Sequence, residues 1–510
     1  MSGGSTAPEA HGDRLVHSAL ALLISNGLSA VLGVVFWVVT AHLFTARYVG
    51  YGVAEIAAMT LIASVSQFSP AAIFQRFLYA SGALASKMVK IGYATGVGLA
   101  LIVATGFLLF TGHHIYLKSG FGSSVEFLLA VALWVIFSIE DSALVGLRAT
   151  FWVPVENTSF SIAKIAMLPI FAIVAPRSGV FVSWIFPVIG CIIPVNYYLF
   201  RRVLPHHIKW SEGRWSLPSR RVVGSILVGE YFGGLALIAM TTLPALIIVS
   251  RLGAVQAAYF QTPWLAGVSF DFSLWSIAVA LTSESSARPS SAQQAVRKAV
   301  RLSLGLMIPG VIIVVFGAHL FLSLLGHTYA SHGTRLLQFL ALAVPFMSVN
   351  VMYVTFARMA RRVRRVVTMQ VGLAVIILVL TTVLIGPMGI TGAGVAFLLG
   401  QFATATVVLP SVVGQFRRRG MAPGFAVDST LVAPRESLYS AVTEIPAISP
   451  DSTPRMNTTI FRNESSLSEE EQRTTSSVWR WRTHLDVLKW TRKQPRTRSK
   501  SRNQSVERDM

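Results

Sequence analysis

Apolar runs of about twenty residues recur along this chain, separated by short polar connections. They fall at 16–44, 50–75, 91–112, 125–147, 158–175, 180–200, 222–249, 254–282, 300–325, 335–357, 367–386 and 391–413. A bilayer core about 30 Å thick needs roughly 20 apolar residues of helix, so the pattern predicts an all-α, polytopic membrane protein with about twelve transmembrane helices. The first 14 residues are polar, and the run that follows exceeds the core of a signal peptide, so no cleavable signal is expected. From about 414 to 510 the chain is rich in Ser, Thr, Arg and Glu and poor in aliphatic residues, which predicts a disordered, basic tail. Within the tail, "VWRWRTHLDVLKW" (478–490) suits either an amphipathic helix on a membrane surface or a solvated segment.

The charges between the runs alternate. One set of connections carries Arg76, Lys87 and Lys90; Arg148; Arg201, Arg202, Lys209, Arg214, Arg220 and Arg221; Arg288, Arg297, Lys298 and Arg301; Arg358, Arg361, Arg362, Arg364 and Arg365; and Arg417, Arg418 and Arg419. The other set holds single charges: Arg47, Lys118, Arg177, Arg251 and Arg335. The positive-inside bias then predicts that both termini are cytoplasmic. Composition agrees with lipid as the main solvent: 53% of residues are hydrophobic and 13% charged, against about a quarter charged in soluble proteins. The formal net charge of +21 clusters beside the apolar runs, which points to anionic lipid head groups rather than nucleic acid. A single cysteine, Cys191, excludes an intramolecular disulfide and a cysteine metal cluster. The sequons at Asn157, Asn457 and Asn463 all fall on the predicted cytoplasmic side, where glycosylation is not expected.

Two weak internal matches share an offset of roughly 210 residues. "LFTARYVGYGVAEIAAM" (43–59) lies over "SRLGAVQAAYFQTPWLAGV" (250–268), with Tyr51 on Tyr259, and "APRSGVFVSWIF" (175–186) lies over "GPMGITGAGVAFLL" (386–399), with Gly179 on Gly389. A parallel repeat of two six-span lobes follows, its axis along the membrane normal. The domains are then a cytoplasmic N-terminus (1–14), an N-terminal lobe (15–200), a basic linker (201–221), a C-terminal lobe (222–413) and the tail (414–510).

No GxxxxGK[ST] loop, HExxH pair or GxSxG elbow occurs, so no catalytic or metal-binding residues are assigned and a carrier fits better than an enzyme. The pairs His113-His114 and His206-His207 sit in connections without carboxylates at ligand spacing. Ionisable groups inside spans are costly and usually face a cavity or a partner. Asp271, mid-span, can line a cavity or bond a neighbouring helix. Glu230 and Glu55 lie closer to span ends, where snorkelling is an alternative, and Asn26 is central in the first span. "FSIEDSALVGLRATFWVPVEN" (137–157) places Asp141 and Arg148 nearly two turns apart, on one face about 10 Å apart if the helix continues. Glu140 points about 100° away from Asp141. Glu156, Asn157 and Lys164 beyond the turn supply partners for a network locking spans four and five, or Arg148 and Lys164 form a cationic site for a phosphate head group. Prolines at 70, 169, 187, 194, 244, 309, 345 and 410 lie in or near span interiors and favour kinks.

The segment "LISNGLSAVLGVVFWVVTAHLFTARYVGYGVAEIAAMTLIASVSQFSPAAIFQRFLYASG" (23–82), "DSALVGLRATFWVPVEN" (141–157) with Lys164, and "GPMGITGAGVAFLLG" (386–400) resemble bacterial polysaccharide-biosynthesis membrane proteins. These are the O-antigen-type flippases of the multidrug, oligosaccharidyl-lipid and polysaccharide (MOP) exporter superfamily. The resemblance covers about residues 15 to 415. It implies two lobes of six spans, an alternating-access cavity, and passage of a polyprenyl-diphosphate-linked saccharide to the outer leaflet of a bacterial plasma membrane. It makes Asn26, Glu55, Arg76, Asp141, Arg148, Lys164, Glu230 and Asp271 candidates for the cavity. No cofactor is implied, but proton or sodium coupling is, with Asp271 or Glu230 as carriers. Cavities of the family are often cationic, whereas the charges within these spans are mostly acidic. Two other functions remain open: a cation-coupled drug or metabolite antiporter of the same superfamily, and a non-transporting scaffold whose tail docks glycosyltransferase or polymerase partners.

Overall fold

The computed structural model describes residues 31–111, 121–211, 220–287, 292–360 and 362–417. The expectations for Asn26, His113-His114, the sequons at Asn457 and Asn463, and the tail beyond Arg417 lie outside these residues. The described chain is helical throughout: α1 (Val31–Leu43), α2 (Ala46–Phe77), α3 (Ala85–Thr111), α4 (Phe121–Gly146), α5 (Trp152–Val174), α6 (Gly179–Tyr198), α7 (Leu204–Trp210), α8 (Arg220–Leu252), α9 (Ala254–Ala287), α10 (Ala292–Ser323), α11 (His327–Met359), α12 (Val363–Met388) and α13 (Ile390–Arg417). Among the described residues, nine helical stretches are long and apolar enough to cross a membrane, and two shorter ones are also apolar. Helices are the natural form of these runs, since in lipid each backbone polar group must be satisfied within the chain. Buried hydroxyls obey the same rule: Thr40 donates to the Phe36 carbonyl at 2.7 Å and Thr381 to that of Ile377 at 2.7 Å. The expected prolines all sit inside helices that continue through them.

Several helices are longer than the apolar runs. α5 begins at Trp152, so Glu156 and Asn157 belong to the helix rather than to the turn before it. Pro154 permits this, because in the first turn of a helix its missing N–H has no partner to lose. α11 has 33 residues, roughly 50 Å of helix, and so projects beyond a 30 Å hydrocarbon core. The start of the basic linker is also ordered. A wide turn at Leu199–Val203 leads into α7, which lies against α3 and the 79–84 turn and buries Leu204 and His207.

Helix packing repeats between the halves. α2, α3 and α6 pack on α4, as α9, α10 and α13 pack on α11. α5 pairs with α6 as α12 pairs with α13. Most consecutive long helices pack against each other. Tight turns fall at 44–45, 175–178, 253, 324–326 and 389, and the described basic connections at 78–84, 147–151 and 199–211 meet one another on the opposite, basic face.

The two halves meet through α2, which packs against α8 and α9. At the tight-turn end, Gly50 of α2 is pressed onto the backbone of Ala254 at the start of α9, where any Cβ would fall on the Ala254 carbonyl. Nearer the middle, the Tyr231 hydroxyl of α8 donates to the Val65 carbonyl of α2 at 3.2 Å. Gly33 of α1 faces Leu265 of α9, the counterpart of the α2–α8 contact. We expect Gly50→Val to cost about 1–3 kcal/mol through overpacking and to part α2 from α9. Spin labels at the exposed Arg47 and Val255 would report a longer distance in the variant.

Candidate functional site

The expected stripe from Asp141 to Arg148 does not form, because α4 ends at Gly146. That glycine lies against the Phe74 carbonyl of α2, leaving no space for a side chain. The chain then closes the helix with two reversed bonds: Ala149 N–H to the Leu144 carbonyl at 2.9 Å and Arg148 N–H to that of Val145 at 3.1 Å. This is the Schellman arrangement, whose left-handed position normally holds glycine. Here Arg148 holds it, at φ 62°, as the one non-glycine residue with positive φ among those described. Its guanidinium stacks over the Tyr79 ring at 4.2 Å, and that ring in turn meets His207 at 5.0 Å and Trp210 at 5.6 Å. Arg148 is thus exposed on the basic face, in an aromatic cluster made by three connections. In the second half, Arg362 N–H bonds the Ala357 carbonyl at 2.8 Å, the same closing bond at the equivalent turn.

Asp141 and Glu140 turn to different helices. Asp141 accepts a bond from Asn157 Nδ2 of α5 at 3.0 Å. Glu140 is fully buried and accepts from Asn196 Nδ2 of α6; the Asn196 amide oxygen accepts from the Tyr93 hydroxyl of α3 at 2.9 Å. The carboxyl of Glu156, also buried, comes within hydrogen-bonding reach of Glu140. Apart from that contact, neither Glu156 oxygen finds a donor among the described residues. Four helices therefore converge on a buried layer of three carboxyls, two amides and a phenol. Two carboxyls in contact repel when both are charged, and a shared proton removes the repulsion. Among the described residues, no group of three His, Cys, Asp or Glu is placed to hold a metal ion.

Lys164 lies two turns further along α5, on the buried face that also presents Glu156, Phe160 and Leu168. Its ammonium sits over Trp184 at 3.8 Å, Phe160 at 4.9 Å and Phe36 at 5.3 Å. Such cation–π contacts gain strength away from water, so the rings replace part of the lost hydration. Trp134 completes the cluster, 6.0 Å from Trp184 and 5.8 Å from Phe160. Lys164 and Arg148 thus have separate aromatic surroundings.

The other candidates are dispersed. Glu55 is buried on α2 near Glu126 of α4, with one carboxyl oxygen unpartnered among the described residues. Arg76 is exposed at the basic end of α2. Glu230 lies on α8, but its side chain is outside the described set. Asp271 on α9 accepts a bond from the Trp275 indole, whose ring lies 4.9 Å from the Arg358 guanidinium of α11. The second half also holds a buried amide pair: Asn350 Nδ2 of α11 donates to Gln401 Oε1 of α13 at 2.7 Å.

No protein-family model matches the chain, and no curated protein matches it. Solved structures do. The lipid II flippase MurJ in an inward closed conformation aligns with TM-score 0.59 at 12% identity, over 78% of this chain and 89% of that chain. An inward-facing multidrug resistance MATE family transporter of the MOP superfamily aligns with TM-score 0.58 at 13% identity, over 76% and 94%. A MATE in complex with MaL6 aligns with TM-score 0.55 at 14% identity, over 78% and 95%. The chain has the MOP-transporter fold. Within that fold, the polar layer and the lysine cage both belong to the first half, on α3 to α6 with Phe36 of α1.

The sequence reading passed over Glu140, Asn196, Tyr93 and Trp184 as site residues. Their partners lie on other helices and leave no mark in local spacing. Glu156, Phe160 and Lys164, each four residues apart, did carry a legible signal of one buried face.

Two outcomes are expected. Asn196→Leu leaves Glu140 without its amide donor and should cost about 1–3 kcal/mol, read as thermal unfolding in detergent. Arg148→Gly should fold at least as well as the parent, since an L-residue in the left-handed region costs about 1–2 kcal/mol. That variant then separates the contribution of the guanidinium from that of the turn.

Proposed function

We propose that this protein is an alternating-access transporter that carries a polyprenyl-diphosphate-linked saccharide from the cytoplasmic to the outer leaflet of a bacterial plasma membrane. Both termini and the basic face are then cytoplasmic. The observation that carries this reading is a segregation of charge between the halves. No Asp or Glu occurs between Glu284 and Asp428, although this stretch contains Arg335, Arg358, Arg361, Arg362, Arg364 and Arg365. Four helices, α10 to α13, thus offer an anionic cargo no repulsion. The structural likeness to the lipid II flippase supports the same choice.

The buried layer of the first half suits coupling. A proton held between Glu140 and Glu156 is a charge the lobe can gain or lose as it opens. A cation-coupled drug or metabolite antiporter is the second reading; the buried carboxyls and the likeness to MATE transporters favour it. Glycosyltransferase or polymerase partners would dock on the tail in either case.

Two measurements separate these readings. Depletion of the protein in cells should cause lipid-linked saccharide to accumulate in the inner leaflet, read by mass spectrometry of the retained lipid. In proteoliposomes with a proton gradient, Glu140→Gln should slow lipid translocation by about 5- to 150-fold, the span of an ordinary coupling free energy. Transport of an organic cation dye without any lipid translocation would favour the antiporter.

A further inference from the structure

On the tight-turn side of the second half, a groove of about 480 Å³ opens between α10, α11 and the α12–α13 turn. Val315, Phe339, Leu342 and Met388 give it apolar walls, while Arg335, Gln338 and Thr391 give it a polar end. Gln338 is anchored by donating to the Val315 carbonyl at 2.9 Å, which ties α11 to α10 across the groove. Arg335 is exposed and forms no ion pair among the described residues. Its position along α11 matters. It is eight residues from the start of a helix that overhangs the hydrocarbon core, which puts its guanidinium near the head-group level, while Leu342 lies about two turns deeper. The four helices around it contain no carboxylate, so an anion for Arg335 has to come from beyond them.

We propose that this groove binds an anionic phospholipid of the leaflet on the tight-turn side, its phosphate on Arg335 and an acyl chain along Phe339 and Leu342. An arginine at head-group level above an apolar slot matches both parts of such a molecule, and neither part alone would fill it. The site is separate from the polar layer and does not depend on which cargo is transported.

The test uses the full-length protein in detergent, with native mass spectrometry of adducts formed on adding phosphatidylglycerol or phosphatidylcholine. The parent should retain phosphatidylglycerol in preference to phosphatidylcholine. Arg335→Gln should weaken that adduct about fivefold, the effect of one basic residue at a lipid surface. Leu342→Trp, which fills the slot and leaves the charge, should weaken it as well. Unfolding temperatures measured without lipid confirm that both variants are folded, and Arg335→Lys supplies a conservative check by restoring most of the binding if Leu342→Trp fails to fold. Arg251→Gln, exposed on the same side but outside the groove, should leave the adduct unchanged. Equal adducts in the parent and Arg335→Gln, an equal loss with Arg251→Gln, or displacement of the lipid by millimolar inorganic phosphate alone would overturn the proposal.

Discussion

A carboxyl carried into lipid must be compensated by groups within a few ångströms, and Glu140 imposes that requirement on four helices at once. Desolvating such a group is costly unless hydrogen bonds replace the lost water. Asn196 supplies one bond, Tyr93 holds Asn196 in place, and Glu156 meets the carboxyl from α5. α3, α4, α5 and α6 are therefore held in one register by a layer in which each member depends on another. Asp141 with Asn157 adds a second bond between α4 and α5. In the second half, an amide pair joins α11 to α13 without a charge to compensate.

Lobe contact is governed by a different physics. α2 approaches α9 through Gly50 against backbone, a surface too close for any side chain, at the tight-turn end. Close approach of this kind maximises dispersion contacts in lipid, where no hydrophobic force drives helices together. The close glycine contact between lobes and the polar layer inside the first lobe are thus separate features, on different helix faces.

Much of the fold was legible in the pattern of residues. The apolar runs located the long helices, the alternation of Lys and Arg separated the two faces, and weak matches at Tyr51/Tyr259 and Gly179/Gly389 pointed to a repeat that the helix packing shows. The site was less legible. Lys164 and Asp141 were named as candidates, yet their partners, Trp184, Phe36 and Asn157, could not all be chosen from helical spacing, since strongly apolar spans give no preferred rotation. Arg148 was placed on a helical face because nothing local announces that α4 stops at Gly146. The stop is closed by a left-handed residue that is an arginine and not the usual glycine.

Sequence alone determined that the chain is helical, where its helices run and which face is basic, because those properties follow from the transfer of each residue between water and lipid and from the span of a helix across a bilayer. Tertiary structure decided which polar groups meet. Glu140 and Glu156 are far enough apart in sequence that only the packing of α4 against α5 and α6 brings them together. The same holds for Lys164 and its rings, and for Arg335 above its groove. Hydrogen bonds and cation–π contacts act over a few ångströms, and positions at that range are set by helix rotation and tilt, which neighbouring helices impose.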